Sequence, residues 1–195
     1  MMVSVNYNEF RKYSDKSLPE AKIFMGKFIK EKLKSVVYSN FIQESSFYDD
    51  TMNALDLYID LPSIIPKVKI SHRARQMHGN IFDITIKTKS QNQNISCEFD
   101  KLVKLSESNL NPWYYFYCYY DEDVNMITKY IIFDLRKLIK MKEFKDKSIF
   151  NYKNDKLNTK DGGSMFNCIT VNKLIEMEVM CVDWSNGNDL TKYYL

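Results

Sequence analysis

Apolar residues recur at helical spacing through Ala21, Phe24, Met25, Phe28, Ile29 and Leu33, while Lys22, Lys27, Lys30, Lys32 and Lys34 fall on the other faces. The pattern predicts an amphipathic helix, packed on one side and basic on the rest. Its start reads Ser17-Leu18-Pro19-Glu20, which makes Ser17 the N-cap, puts Pro19 in the first turn and sets Glu20 in the capping-box position. Gln43 to Asn53 is polar and acidic and predicts a loop.

From Ala54 the period changes to two. Leu55, Leu57, Ile59 and Leu61 point one way and Asp56, Tyr58 and Asp60 the other, because side chains alternate along a strand. Pro62 and Pro66 bracket a turn. In the next run Val68, Ile70, His72 and Ala74 oppose Lys67, Lys69, Ser71, Arg73 and Arg75, and in a third Phe82, Ile84 and Ile86 oppose Asp83, Thr85, Lys87 and Lys89. Together they predict a three-strand N-terminal meander with one apolar and one charged face.

Ser96 or Asn94 is positioned to cap a helix through Phe99, Leu102 and Leu105, and Asn109, Asn111 and Pro112 end it. Trp113 to Tyr120 is apolar on both faces, as in a strand covered on both sides or at an edge against a helix. Asp121-Glu122-Asp123 turns the chain, and Met126 to Phe133 returns as a hairpin partner. Asp134 caps a short basic helix, Leu135 to Met141. Lys145 to Lys160 is polar, Gly162-Gly163 marks a turn, Met165 to Thr170 is a late strand, and Asn172 caps a last helix through Glu178. The order predicts an α+β or α/β chain, with a central mixed β-sheet flanked by helices in a single domain over residues 1–195.

Composition narrows the function classes. Lys and Arg number 28 against 25 Asp and Glu, so the net charge of +3 is too small to imply nucleic acid by itself. Cys97, Cys118, Cys168 and Cys181 form no C-x-x-C pair and there are only two histidines, which argues against a disulfide scaffold or a zinc knuckle and for reduced, buried thiols. No apolar stretch reaches the roughly 20 residues of a membrane span, and Met1 to Asn6 has no apolar signal core. The expectation is a cytoplasmic protein that does not enter a membrane.

On the charged side of the meander, Asp56 and Asp60 would gather with Arg73, Arg75, Asp83 and Lys87. Strands lie about 4.8 Å apart and same-face neighbours about 6.8 Å, within reach of one phosphate or one metal ion. Oxygen ligands suit Mg2+, which activates water and stabilises charge on a phosphodiester. A solvated sheet face with cross-strand ion pairs produces the same alternation.

The sequence also resembles a family. The basic helix, the acid-bearing strand Leu55-Asp56-Leu57-Tyr58-Ile59-Asp60, the hairpin into Ile70-Ser71-His72-Arg73-Ala74-Arg75, a third strand and a following helix look like the PD-(D/E)XK, or restriction-endonuclease-like, core. Phe82-Asp83-Ile84-Thr85-Ile86-Lys87 with Cys97-Glu98-Phe99-Asp100-Lys101-Leu102 is similar to segments of uncharacterised phage and mobile-element proteins with that core. The resemblance covers residues 15 to 180 and implies a metal-dependent DNA endonuclease. Asp56 matches the first metal-binding acid, with Asp60 its substitute in a shifted register. The acid-x-lysine pair falls on Arg73-Ala74-Arg75, where the sequence departs: Arg73 ligates no metal and Arg75 has no tunable pKa. Asp83 or Glu98 would then supply the missing carboxylate and Lys87 the missing amine, giving Asp56, Asp83 and Glu98 as Mg2+ ligands.

Three functions follow as expectations. The first is phosphodiester hydrolysis by Asp56, Arg73, Arg75, Asp83 and Lys87. The second is a catalytically inactive accessory protein that binds nucleic acid, through Lys27, Lys30, Lys34, Arg136 and Lys140, or that inhibits a host defence protein. The third is a homodimer built on the aromatic strand Trp113 to Tyr120, whose rings could also stack on single-stranded bases. His72, on an apolar face, and His78, in a turn, suit a core and a loop better than a nucleophile site. Gly162-Gly163 lacks the residues of a phosphate loop.

Overall fold

The computed structural model describes residues 7–33, 42–45, 56–60, 67–76, 83–89, 97–106, 112–158, 164–185 and 188–193. The first half holds α1 (Tyr7–Leu33), β1 (Ile42–Glu44), β2 (Leu57–Ile59), β3 (Val68–Gln76), β4 (Asp83–Lys89) and α2 (Glu98–Leu105). β5 (Tyr114–Asp121), β6 (Met126–Asp134), α3 (Leu135–Lys140), α4 (Lys142–Lys145) and β7 (Asn151–Asn158) follow. The chain continues through β8 (Ser164–Thr170), α5 (Val171–Glu176), β9 (Met180–Ser185) and β10 (Asn188–Tyr193). A seven-stranded sheet runs β1-β2-β3-β5-β6-β9-β10, and a three-stranded sheet runs β4-β8-β7. Among the described strands only β3 and β5 pair in parallel, so the larger sheet is mixed and the class is α+β, as expected.

The meander is corrected. β1, β2 and β3 form it, and the expected third strand, β4, belongs to the other sheet. β3 gives its second edge to β5, whose register sets Ile70 beside Tyr114 and Arg73 beside Tyr117. β5 is apolar on both faces and gains most from a central place covered above and below. Its Tyr114, Phe116, Cys118 and Tyr120 pack toward α1 with Met25, Phe28 and Ile29. Its Tyr115, Tyr117 and Tyr119 pack toward β4, α2 and α3. Residues Tyr114 to Tyr120 are at most 4% exposed. Tyr114 to Tyr120 are therefore core, covered on both faces, while Trp113 before them is only partly buried.

α1 starts ten residues before the expected cap, so Ser17 caps nothing. Its buried hydroxyl donates to the Ser14 carbonyl at 3.1 Å and lies 3.2 Å from His72 Nε2. Pro19 removes one backbone bond inside the helix. Tertiary contacts carry α1 across that break: Ala21 and Met25 are buried under it, and Lys12, Lys16 and Tyr13 reach Glu122 in the β5–β6 turn at 2.7, 2.9 and 3.1 Å.

Lys12 and Lys16, with the Tyr13 hydroxyl, hold the Glu122 carboxyl at about 2, below its ordinary 4.5. A depressed carboxyl pKa adds stability above the ordinary value that is lost as pH falls through the folded value. Glu122→Gln is therefore expected to be less stable than the parent at neutral pH. The two acid-unfolding curves should converge between 4.5 and about 2. The effect is small and shrinks with salt, because both lysines are exposed and Glu122 is partly so. An offset independent of pH and salt would refute it.

Other boundaries moved for local reasons. Cys97, not Ser96 or Asn94, caps α2: its sulfur accepts from the Asp100 N–H, and the Asp100 carboxylate accepts from the Cys97 N–H. Ser96 and Asn94 lie outside the described residues, as do His78, Gly162 and Gly163. Thr170, not Asn172, caps α5, whereas Asp134 caps α3 as expected. β1 lies partly in the predicted loop at Gln43 and Glu44, and β7 lies within the polar stretch. β9 and β10 follow the last predicted helix. All four cysteines are buried free thiols. No helix among the described residues is long and apolar enough to cross a membrane.

Candidate functional site

The charged face of β3 meets the second layer, which covers Arg73 largely and Arg75 in part. Alternation sends Val68, Ile70 and Ala74 into the core under α1 and leaves Arg73 and Arg75 on the opposite face. There Arg73 Nη1 donates to Glu98 Oε2 at 2.6 Å and to the Thr85 carbonyl at 3.4 Å, and its guanidinium lies 5.5 Å from the Phe166 ring centroid. The Arg73 and Glu98 side chains are 28% and 17% exposed. Burial alone would lower the Arg73 pKa, but the Glu98 carboxylate and the nearby Tyr115 and Tyr117 hold it above the usual arginine range.

Glu98, in the first turn of α2, accepts from three groups. Besides Arg73, the Tyr115 hydroxyl reaches Oε1 at 2.6 Å and the Lys87 backbone N–H reaches Oε2 at 3.2 Å. Burial, with Glu98 alongside, pushes the Tyr115 hydroxyl well above its ordinary pKa, so it remains a donor. Tyr117 accepts from the Thr85 N–H at 3.3 Å and shares a 3.0 Å hydrogen bond with Thr85 Oγ1. Tyr119 accepts from the Asp83 N–H and donates to the Asp83 carbonyl.

These contacts share one feature. The backbone groups of Asp83, Thr85 and Lys87 point to the same edge of β4, because they are two residues apart. β8 pairs with β4, and β4 ends its sheet. Its open edge is met by side chains of β3, β5 and α2 in place of another strand. An unpaired buried peptide group is costly, so this row of hydroxyls, a guanidinium and a carboxylate clasps the two sheets together.

The expected site residues divide accordingly. Arg73 with Glu98, and Arg75 with Asp83 at 3.6 Å, are brought together in the clasp. Lys87 enters it through its amide. Asp56 Oδ2 accepts from the His72 backbone N–H at 2.7 Å, and the Asp56 N–H donates to the Ile70 carbonyl at 3.0 Å, continuing the β2–β3 ladder. Asp60 pairs with Lys67 at 3.1 Å. Among the described residues no group of three or more His, Cys, Asp or Glu is placed to hold a metal ion. Lys27 lies 5.8 Å from the Phe24 ring centroid and Arg136 lies 4.2 Å from that of Trp113. Lys30 and Lys140 are exposed, and Lys34 lies outside the described residues.

Tyr115, Tyr117, Tyr119 and Thr85 were not anticipated in this role. Their signal was present: three tyrosines two apart on one face of a buried strand bring three hydroxyls that each need a partner. His72 is buried under α1, with Cys118 Sγ 3.8 Å from its Nε2, and burial raises the Cys118 thiol pKa far above its ordinary value. This corner is packing, consistent with an apolar-face histidine. No family model, curated protein or solved structure matches the chain.

Proposed function

We propose that the chain is a nuclease-like module that binds nucleic acid and does not cut it. The observation carrying this reading is the occupation of the expected reactive groups: Glu98 takes three donors, and Arg73 spans Glu98 and the β4 backbone. A metal ligand or phosphate-orienting cation must be free to exchange partners, and these are committed to joining two sheets. The order of basic helix, β2–β3 hairpin, α2 and parallel β5 supports a nuclease-like ancestry. Exposed Lys27, Lys30 and Lys140 support binding to phosphates.

Labelled single- and double-stranded DNA and RNA, titrated at increasing salt with and without Mg2+ or Mn2+, test the proposal. The expected result is binding that weakens steeply with salt and leaves the nucleic acid intact. Metal-dependent cleavage that disappears in Asp56→Ala would replace this reading by phosphodiester hydrolysis. That second reading is favoured by Asp83 Oδ1, a buried oxygen with no hydrogen-bond partner among the described residues and only the 3.6 Å ion pair to Arg75. Absence of binding at low salt would leave a protein target, such as a host defence protein, in place of nucleic acid.

A further inference from the structure

Resting on that binding reading, we propose that the nucleic-acid backbone is gripped at one end of the seven-stranded sheet, where the last turn of α1 and the helix α3 flank the start of β5. Phe28 of α1 packs edge-on against Tyr114, with ring centroids 5.0 Å apart. Lys32 follows Phe28 by four residues, so it lies on the same stripe, one turn further along. From the other layer, the carbonyl of Trp113 accepts from the Leu135 N–H at 3.0 Å, and the Arg136 guanidinium lies 4.2 Å from the Trp113 ring centroid. Lys32 and Arg136 thus approach the same strand end from two elements far apart in the chain.

Lys137 joins them, its Nζ donating to the Glu178 carbonyl at 2.8 Å. Burial raises the nearby Cys181 thiol to about 11, Lys32 and Lys137 both act to lower it, and Asp134 acts to raise it. Lys30 and Lys140, both exposed, extend the surface along α1 and α3. Acids are present but weakly paired with these cations: Asp134, which caps α3 through Oδ1, is 3.9 Å from Arg136 through Oδ2, and Glu178, at 88% exposure, is 3.8 Å from Lys137. Surface pairs of this kind exchange readily for phosphate oxygens.

Arg136 and Trp113 favour nucleic acid over an acidic protein surface. A guanidinium lying over an indole keeps its N–H edge available for phosphate, and the ring pair offers a platform beside a base. The surface is also separate from the clasp. Tyr114 aligns with Ile70, and Arg73 aligns with Tyr117, three residues and about 10 Å along the paired strands.

The test compares short labelled single-stranded and duplex DNA on the parent, on Lys32→Ala/Arg136→Ala/Lys137→Ala and on Lys32→Glu/Lys137→Glu. The last variant keeps the Arg136–Trp113 contact and so guards against a folding defect. A control pair, Lys89→Ala/Lys104→Ala, removes exposed cations from β4 and α2. The expected loss is about tenfold or more in affinity at moderate salt for both surface variants, with a salt slope shallower by roughly 2 to 3 in the triple variant and no change in the control. In a Trp184→Phe background, which leaves Trp113 as the sole tryptophan, binding should alter the indole emission. Parental binding that the surface variants retain, or that the control loses equally, overturns this location while the binding reading stands. Displacement by polyglutamate as readily as by unlabelled DNA assigns the surface to an acidic protein. A parent that binds no nucleic acid removes both proposals.

Discussion

Glu98→Ala is expected to lower the unfolding free energy by about 3 kcal/mol, a fall in Tm of roughly 6 to 12 °C for a chain of this size. The substitution leaves Arg73 largely out of solvent with no carboxylate, and at the same time orphans the Lys87 N–H and the Tyr115 hydroxyl. Removing one member of a buried pair costs more than the pair itself contributes, because the surviving charge keeps its desolvation penalty. Arg73→Met combined with Glu98→Leu should therefore recover part of the loss, and a double-mutant cycle should report strong coupling. Chemical denaturation of the four proteins is the measurement. A Glu98→Ala protein within about 1 kcal/mol of the parent would place the pair among ordinary surface contacts and dissolve the clasp. Unchanged stability with lost activity toward a phosphodiester would instead return Glu98 to the role of a reacting group.

The residues that proved legible were those whose pattern is local. Alternation in Val68–Gln76, the hairpin return over Met126–Phe133 and helical spacing around Met25 and Phe28 each depend on neighbours close in the chain, and the structure keeps them. The Asp134 cap was legible for the same reason, since its partner is the Lys137 N–H three residues on. Partner choice was not local. Alternation in Asp83–Lys89 says that β4 has two unlike faces, but not whether its edge meets β3 or the side chains of Tyr117 and Tyr119. That depended on β5, whose apolarity on both faces claims the place beside β3. The charged residues were correctly assigned to one face of β3, but they were expected to gather around a phosphate or metal ion or to face water, and in the structure Arg73 and Arg75 pair with carboxylates of the second layer. Arg73 on that face meets Glu98, whose position on α2 only the crossover between β4 and β5 fixes. Ser17-Leu18-Pro19-Glu20 misled in a related way: it has the form of a helix start, but Tyr13 and Lys16, bonded to Glu122, extend α1 through the proline.

Tyr117→Phe isolates the hydroxyl half of the clasp, since the ring stays and only one oxygen goes. Tyr117 is fully buried, and its hydroxyl serves both the backbone N–H and the Oγ1 of Thr85. Thr85 is itself buried, so water does not readily replace the lost partner. Leaving two buried polar groups short of a bond is expected to cost about 2 to 3 kcal/mol. Tyr120→Phe on the opposite face is the matched control. Its hydroxyl bonds the exposed Asn125 side chain in the β5–β6 turn at 2.6 Å, and its loss should cost under about 1 kcal/mol. Native-state hydrogen exchange separates the clasp from a general loosening. The Thr85 amide should lose more protection than the global change explains, because β4 detaches at its side-chain edge while its β8 ladder persists. Equal costs for the two tyrosines, or a Thr85 amide that tracks global unfolding alone, would mean that β8 and apolar packing hold the small sheet without help from the row of hydroxyls.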